Sequence, residues 1–263
     1  MSDSVSIASL SGRSLRYDLH GEPGAPVLVL SHSLGTDIRM WEPQINELAA
    51  RWRVVRYDTR GHGQSSVPPA PYSITQLGGD VIDLLDHLDI ERAHFCGLSL
   101  GGLTGLYLAV AAPSRIASLA VCSSAARLGT TAMWNDRIAL VRRVGMTGIA
   151  ASVMARWFTE EFRATNPDMV RSIEQQVLDT PVAGYAGCCE ALRDSDLRSV
   201  VPDIRCPVLV LCGAHDPAVP IEDARWLAAH IPKAEYAELS TAHLSNVENP
   251  AAFTQRLSTF LAA

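Results

Sequence analysis

Three residues in this chain have the types and the order needed for nucleophilic attack on a carbonyl: Ser99, Asp216 and His243. Ser99 lies at the centre of Gly97-Leu98-Ser99-Leu100-Gly101-Gly102. A serine on a sharp turn between a strand and a helix is lifted above the sheet, where its hydroxyl is reachable. The turn strains the serine backbone, and glycines on both sides remove the Cβ atoms that would clash across it. His243 lies in Ser240-Thr241-Ala242-His243-Leu244-Ser245-Asn246, and Asp216 in Gly213-Ala214-His215-Asp216-Pro217. The order serine, acid, histidine is the one expected after such an elbow. His243 would take the Ser99 proton and return it to the leaving group. Asp216 would hold the imidazole tautomer and stabilise the imidazolium. Two backbone N–H groups should hold the oxyanion, one from Leu100 and one from His32-Ser33-Leu34-Gly35. Leu34 is the preferred donor there and Ser33 the alternative.

These residues need a sheet whose strand ends meet at one edge. Val27–Leu30, Arg53–Tyr57, His94–Cys96, Ile116–Cys122 and Pro207–Cys212 are short apolar runs of the kind that fill a parallel sheet. Val5, Ile7, Leu15, Tyr17 and Leu19 alternate and suggest an antiparallel pair at the edge. Helices are expected over Pro43–Ala50, over Ile74–Leu88 with an apolar stripe at three- and four-residue spacing, and over Leu103–Ala111. The carboxyl-terminal part adds helices at Ile221–Ala229 and Pro250–Ala262 and a strand at Ala234–Leu239. Alternation of strand and helix implies an α/β fold, a mostly parallel sheet flanked by helices. From Arg127 to Ser195 no strand is apparent. Asn166 before Pro167 and Thr180 before Pro181 read as N-caps followed by proline at the first helical position. The division expected is a core of residues 1–126 and 196–263 with a helical insertion, 127–195.

Other polar residues have quieter readings. Asp58 and His62, in Asp58-Thr59-Arg60-Gly61-His62-Gly63, are expected to support the structure, and His32 to brace the oxyanion loop. His215 adjoins the acid and has no loop of its own. The six cysteines show no metal-ligand spacing and read as reduced packing residues. The formal net charge of −6 gives no electrostatic footprint for nucleic acid. Hydrophobic residues make up 48% and charged residues 19%, as in ordinary globular proteins. No apolar run is long enough to cross a bilayer, and Met1-Ser2-Asp3-Ser4 lacks the regions of a secretory signal, so a cytoplasmic location is expected. The chain carries no signature of an oligomeric state.

Ser99, Asp216 and His243 in these settings resemble the α/β-hydrolase fold family, in which a helical insertion often caps the active site. Four stretches, Ser31-His32-Ser33-Leu34-Gly35-Thr36-Asp37 through Met40-Trp41, Tyr57–Gly63, Cys96–Gly102 and Ala242–Asn246 with Glu248, resemble the 3-oxoadipate enol-lactonases of bacterial aromatic degradation. The resemblance implies hydrolysis of 3-oxoadipate enol-lactone, a small-molecule substrate, without a cofactor. That substrate carries a free carboxylate, so a cation is expected in the pocket. Arg127, Arg137, Arg142, Arg143 and Arg156 are the candidates. Trp134 and Trp157 could pack on the lactone ring. Trp134 and Arg137 are three residues apart on one helix face and form the preferred substrate-binding pair. The alternatives are another capped serine hydrolase (a carboxylesterase, a carbon–carbon bond hydrolase or a cofactor-free perhydrolase) and a non-catalytic ligand receptor.

Overall fold

A computed structural model describes residues 6–263. Val5 and the start at Met1 lie outside them. One eight-stranded sheet runs β1 (Ser6–Leu10), β2 (Arg13–His20), β4 (Arg53–Tyr57), β3 (Val27–Ser31), β5 (Ala93–Leu98), β6 (Ile116–Cys122), β7 (Val208–Gly213), β8 (Glu235–Leu239). β1 pairs antiparallel with β2, and β2 with β4. All other pairings are parallel. The central strands are apolar because both of their faces are covered: Leu28, Val29, Leu30, Phe95, Cys96, Leu119, Val121, Leu209 and Leu211 are all buried.

The order of strands explains where the helices go. β3 leads through α1 (Glu42–Leu48) to β4 on one side, and β4 leads back across it through α2 (Ile74–His87) to β5. Right-handed crossovers running in opposite directions put α1 and α2 on opposite faces. Accordingly α1 packs on the closing helix α11 (Pro250–Leu261), and α2 packs on α3 (Leu100–Ala111). The direction reverses beside β3 and β5, and a crevice opens at their carboxyl ends. The chain enters α2 through a capping box in which Ser73 and Gln76 satisfy each other's backbone N–H. Its expected apolar face is buried at Leu77, Val81, Leu84 and Leu85. Asp80 is buried on the same helix, where Arg60 from the loop after β4 grips it with two hydrogen bonds of 2.6 Å.

Between β6 and β7 lie five helices: α4 (Thr131–Val144), α5 (Thr147–Trp157), α6 (Glu160–Thr165), α7 (Pro167–Asp179) and α8 (Val182–Asp194). α8 lies against the loop after β4 through two glycines. A Cβ on Gly184 would come within 2.0 Å of the Gly61 carbonyl oxygen, and one on Gly61 within 2.5 Å of the Gly184 Cα. The chain then passes through β7, α9 (Ile221–His230), β8 and the short α10 (Ser245–Glu248).

Three local readings change. Asn166 does precede the first residue of α7, but its side chain makes no capping bond. Thr180 does not start α8. It closes α7, with its hydroxyl donating to the Gln176 carbonyl at 2.9 Å, and α8 begins after Pro181. The proline ring holds Thr180 extended, so the threonine side chain bonds backward instead of forward. α3 begins at Leu100, not Leu103, because the chain turns into the helix directly after Ser99.

Candidate active site

Ser99 follows β5 and precedes α3 with φ 56° and ψ −111°, a conformation that costs about 1–3 kcal/mol for a residue with a side chain. Neighbouring elements hold it there. Its N–H donates to the Cys122 carbonyl at 2.9 Å, and Ser124 Oγ donates to its carbonyl at 2.7 Å. The turn is so tight that a Cβ on Gly97 would lie 2.1 Å from the Gly101 oxygen, and one on Gly101 would lie 2.2 Å from the Ser31 oxygen. These two glycines therefore let β3, β5 and α3 converge. The Leu100 N–H, in the first turn of α3, has no partner within its helix and sits at the positive end of the helix dipole.

Ser99 and His243 line one cavity of about 80 Å³. His243 Nδ1 lies 2.7 Å from Asp216 Oδ2, and both side chains are almost wholly enclosed. A carboxylate can only accept there, so Nδ1 carries the proton and Nε2 is the basic nitrogen. The other Asp216 oxygen accepts from the Ala218 N–H at 2.7 Å and the Val219 N–H at 3.1 Å, which fixes the carboxylate. Trp157 stacks over the imidazole at a centroid distance of 6.2 Å. The histidine loop is tied to the helical insertion: the Leu244 N–H donates to the Trp157 carbonyl at 3.2 Å. Glu248 accepts from the Ala242 N–H at 2.8 Å through one oxygen and from Thr159 through the other. Glu248 entered the sequence reading only as part of a motif, and this bridge between two distant segments explains its place.

The loop after β3 is braced by two buried histidines. His32 Nε2 accepts from the Thr59 N–H at 2.9 Å, so its Nδ1–H donates to the Ser33 carbonyl at 2.8 Å. His62 Nε2 accepts from the Gly35 N–H at 2.9 Å, and its Nδ1–H donates to the Arg60 carbonyl. Burial pushes both imidazoles down, His62 to about 3 with the neighbouring His32 adding to the effect, so both stay neutral acceptors at ordinary pH. Asp58 accepts from the Ile38 and Gln64 N–H groups at 2.9 and 2.8 Å. The expectation that Asp58, His62 and His32 are supports agrees with these bonds. Among the described residues, the N–H groups of Ser33 and Leu34 have no partner, and both residues line the cavity with Ser99. His215, by contrast, is exposed and pairs with Ser240.

The helices between β6 and β7 contribute much of the cavity wall. Trp134, Arg137, Val153, Arg156, Trp157, Tyr185 and Leu192 line it. Of the five candidate arginines, only Arg137 and Arg156 reach it. Arg127 pairs with Asp196 and Arg142 with Glu190, while Arg143 is exposed. Arg137 Nη1 is buried without a hydrogen-bond partner among the described residues. Trp134 is held by its indole N–H, which donates to the Leu128 carbonyl at 2.6 Å. The cysteines lie elsewhere, five of them buried, and burial raises the thiol pKa of Cys188 and Cys122.

An eight-stranded sheet with a serine turned out after β5, and an acid–histidine pair beyond the ends of the last two strands, β7 and β8, defines a class of hydrolases. The chain belongs to the alpha/beta hydrolase fold family, whose pattern matches residues 26–250. Within it, the chain is 44% identical to 3-oxoadipate enol-lactonase 2 of Acinetobacter baylyi, over 91% of this chain and 90% of that one. It is 41% identical to 3-oxoadipate enol-lactonase 1 of the same organism, over 98% and 97%. The solved enol-lactonase of Burkholderia xenovorans LB400 superposes with a TM-score of 0.97 at 45% identity, covering 98% of this chain and 100% of that one.

Proposed function

We propose that this protein is a serine hydrolase that opens 3-oxoadipate enol-lactone to 3-oxoadipate. The observation that carries the reading is the cavity that Ser99 and His243 share with Arg137 and Arg156. A nucleophile and a base beside two cations suit an ester that is also an anion. Such a substrate is the one named for the two relatives at 41% and 44% identity.

Ser99 Oγ attacks the lactone carbonyl while His243 Nε2 takes its proton. The negative charge that develops on the carbonyl oxygen is held by the Leu100 and Leu34 N–H groups, and losing one such donor costs about 3–4 kcal/mol. Collapse breaks the ring carbon–oxygen bond. The leaving group is an enol oxygen, more acidic than a simple alcohol, and His243 returns the proton to it. The ring was closed, so the leaving group stays tethered to the acyl chain on Ser99. Water activated by His243 then attacks the acyl-enzyme, releasing the acid and restoring Ser99, and the enol tautomerises to the ketone. Arg137, with Trp134 one helical turn away, receives the substrate carboxylate. Helices over residues 127–195 act as the cap that excludes water and selects the substrate.

The test is turnover of the enol-lactone, followed by loss of its ultraviolet absorbance, alongside p-nitrophenyl acetate. The expected result is a strong preference for the lactone and no turnover in Ser99→Ala. Equal or better rates on the simple ester would overturn the lactonase reading. Full activity in Ser99→Ala would overturn the serine mechanism.

A further inference from the structure

Ser33 carries a hydroxyl that the backbone chemistry of its loop does not use. The residue is 1% exposed, and its Oγ is buried with no hydrogen-bond partner among the described residues. Its carbonyl, in contrast, is fully engaged: it receives His32 Nδ1 at 2.8 Å and the Thr36 hydroxyl and N–H at 2.9 and 3.2 Å. The backbone of Ser33 is thus pinned while its side chain is left over. β3 and β5 are parallel neighbours, and their paired segment ends at Ser31 opposite Gly97. Ser33 and Ser99 each lie two residues beyond that pair and line the same cavity. A hydroxyl kept from water without a partner is a standing cost in the resting protein. Such a cost is recovered when the missing partner arrives.

We propose that the Ser33 hydroxyl is a third donor to the oxyanion formed at the Ser99 acyl centre, acting beside the Leu34 and Leu100 N–H groups. The inference rests on the serine-hydrolase reading of the site. A hydroxyl donates one hydrogen bond and can rotate to find its acceptor. The neutral carbonyl of bound substrate accepts weakly, while the oxyanion accepts strongly. The bond therefore favours the transition state over the ground state, the condition for raising kcat and not merely lowering KM. Acylation and deacylation both pass through an oxyanion at the same place, so the hydroxyl serves both steps.

The experiment compares Ser33→Ala, Ser33→Gly and Ser33→Thr with the natural protein on the enol-lactone. Three quantities are read: kcat and KM, the affinity for a small alkyl boronic acid that forms a tetrahedral adduct on Ser99, and Tm. Ser33→Ala and Ser33→Gly should lower kcat roughly 10- to 100-fold, at or below the effect of losing a backbone-type donor. KM should change little, and boronate affinity should fall in parallel with kcat/KM. Ser33→Thr keeps the hydroxyl and should recover most of the loss. Tm of Ser33→Ala should be unchanged or higher, because an unpaired buried hydroxyl has been removed. A kcat within twofold of the natural protein in both Ser33→Ala and Ser33→Gly would overturn the proposal. So would a loss matched by a fall in Tm with boronate affinity intact, since that marks a packing role. Failure of the parent reading looks different: the natural protein itself would not turn over, or Ser99→Ala would.

Discussion

Acidification should loosen this protein through the loop after β3 before its carboxylates matter. His62 is fully buried, its imidazole is pushed down to about 3, and its Nε2 must stay unprotonated to accept the Gly35 N–H. An unfolded histidine titrates near 6.5. Between about pH 6.5 and about 3 the unfolded chain therefore binds a proton that the folded one refuses. The sign follows directly: stability is full above pH 6.5 and falls as the pH drops through that window. The slope for one such group is about 1.4 kcal/mol per pH unit. From pH 6.5 to 4.5 His62 alone should remove roughly 2.3 kcal/mol, a large share of the 5–15 kcal/mol typical of a folded domain. His32, lowered by the same burial, acts in the same direction. Asp37, held below its ordinary range mainly by Arg39 against the opposing effect of burial, loses its contribution only at still lower pH. The assay is urea unfolding at half-unit steps from pH 7.5 to 4.5, on the natural protein and on His62→Gln. Glutamine places a carbonyl oxygen near the position of Nε2 and can accept from Gly35, but it does not titrate. The variant should show a shallower fall, by about one proton's worth of slope. Parallel curves for the two proteins would refute the reasoning, because His62 would then not be a refused proton site.

Asp216→Asn should leave the fold intact by circular dichroism and lower kcat on the order of 10⁴-fold, since an amide favours the wrong imidazole tautomer; a loss under tenfold would take Asp216 out of the mechanism. Arg137→Ala should raise KM for the anionic lactone while sparing a neutral ester of similar size, and an unchanged KM would move the carboxylate to Arg156. Glu248→Ala removes the bridge between the Ala242 N–H and Thr159. It should lower kcat roughly 10- to 100-fold through misplacement of His243, with faster amide exchange at Ala242 as the independent readout. Gly184→Ala forces a Cβ to within 2.0 Å of the Gly61 oxygen. It should cost about 1–3 kcal/mol of stability from overpacking, and an unchanged Tm would count against that contact.

The chemistry of the core was legible in the chain because it is local. Gly97 and Gly101 mark the elbow because only glycine fits the approach of β5, α3 and β3. Strands end where apolar runs end, so Ser99, Asp216 and His243 could be placed at one sheet edge from order alone. Histidines at 32 and 62 were also readable as supports, since each sits at a strand end within a turn. What pairs with what was not legible. Neither the grip of Arg60 on Asp80 nor the acceptance of the Gly35 N–H by His62 leaves a trace in sequence spacing. The Glu248 bridge, 89 residues along the chain from Thr159, exists only once the helices fold over the core. Five arginines between residues 127 and 156 were candidates, with Arg137 preferred for its place beside Trp134, because a helical wheel shows which residues share a face but not what that face meets. Only packing decided that Arg137 and Arg156 reach the cavity while Arg127 and Arg142 end on carboxylates. Thr180 shows the same limit at short range: its motif permitted an N-cap, and the extended backbone before Pro181 turned the hydroxyl back to α7. Sequence thus determined the sheet, the elbow and the order of the reactive groups, through steric rules that act within a few residues. Tertiary structure decided the lining of the cavity and left the Ser33 hydroxyl buried beside Ser99, because burial and pairing depend on segments brought together from far along the chain.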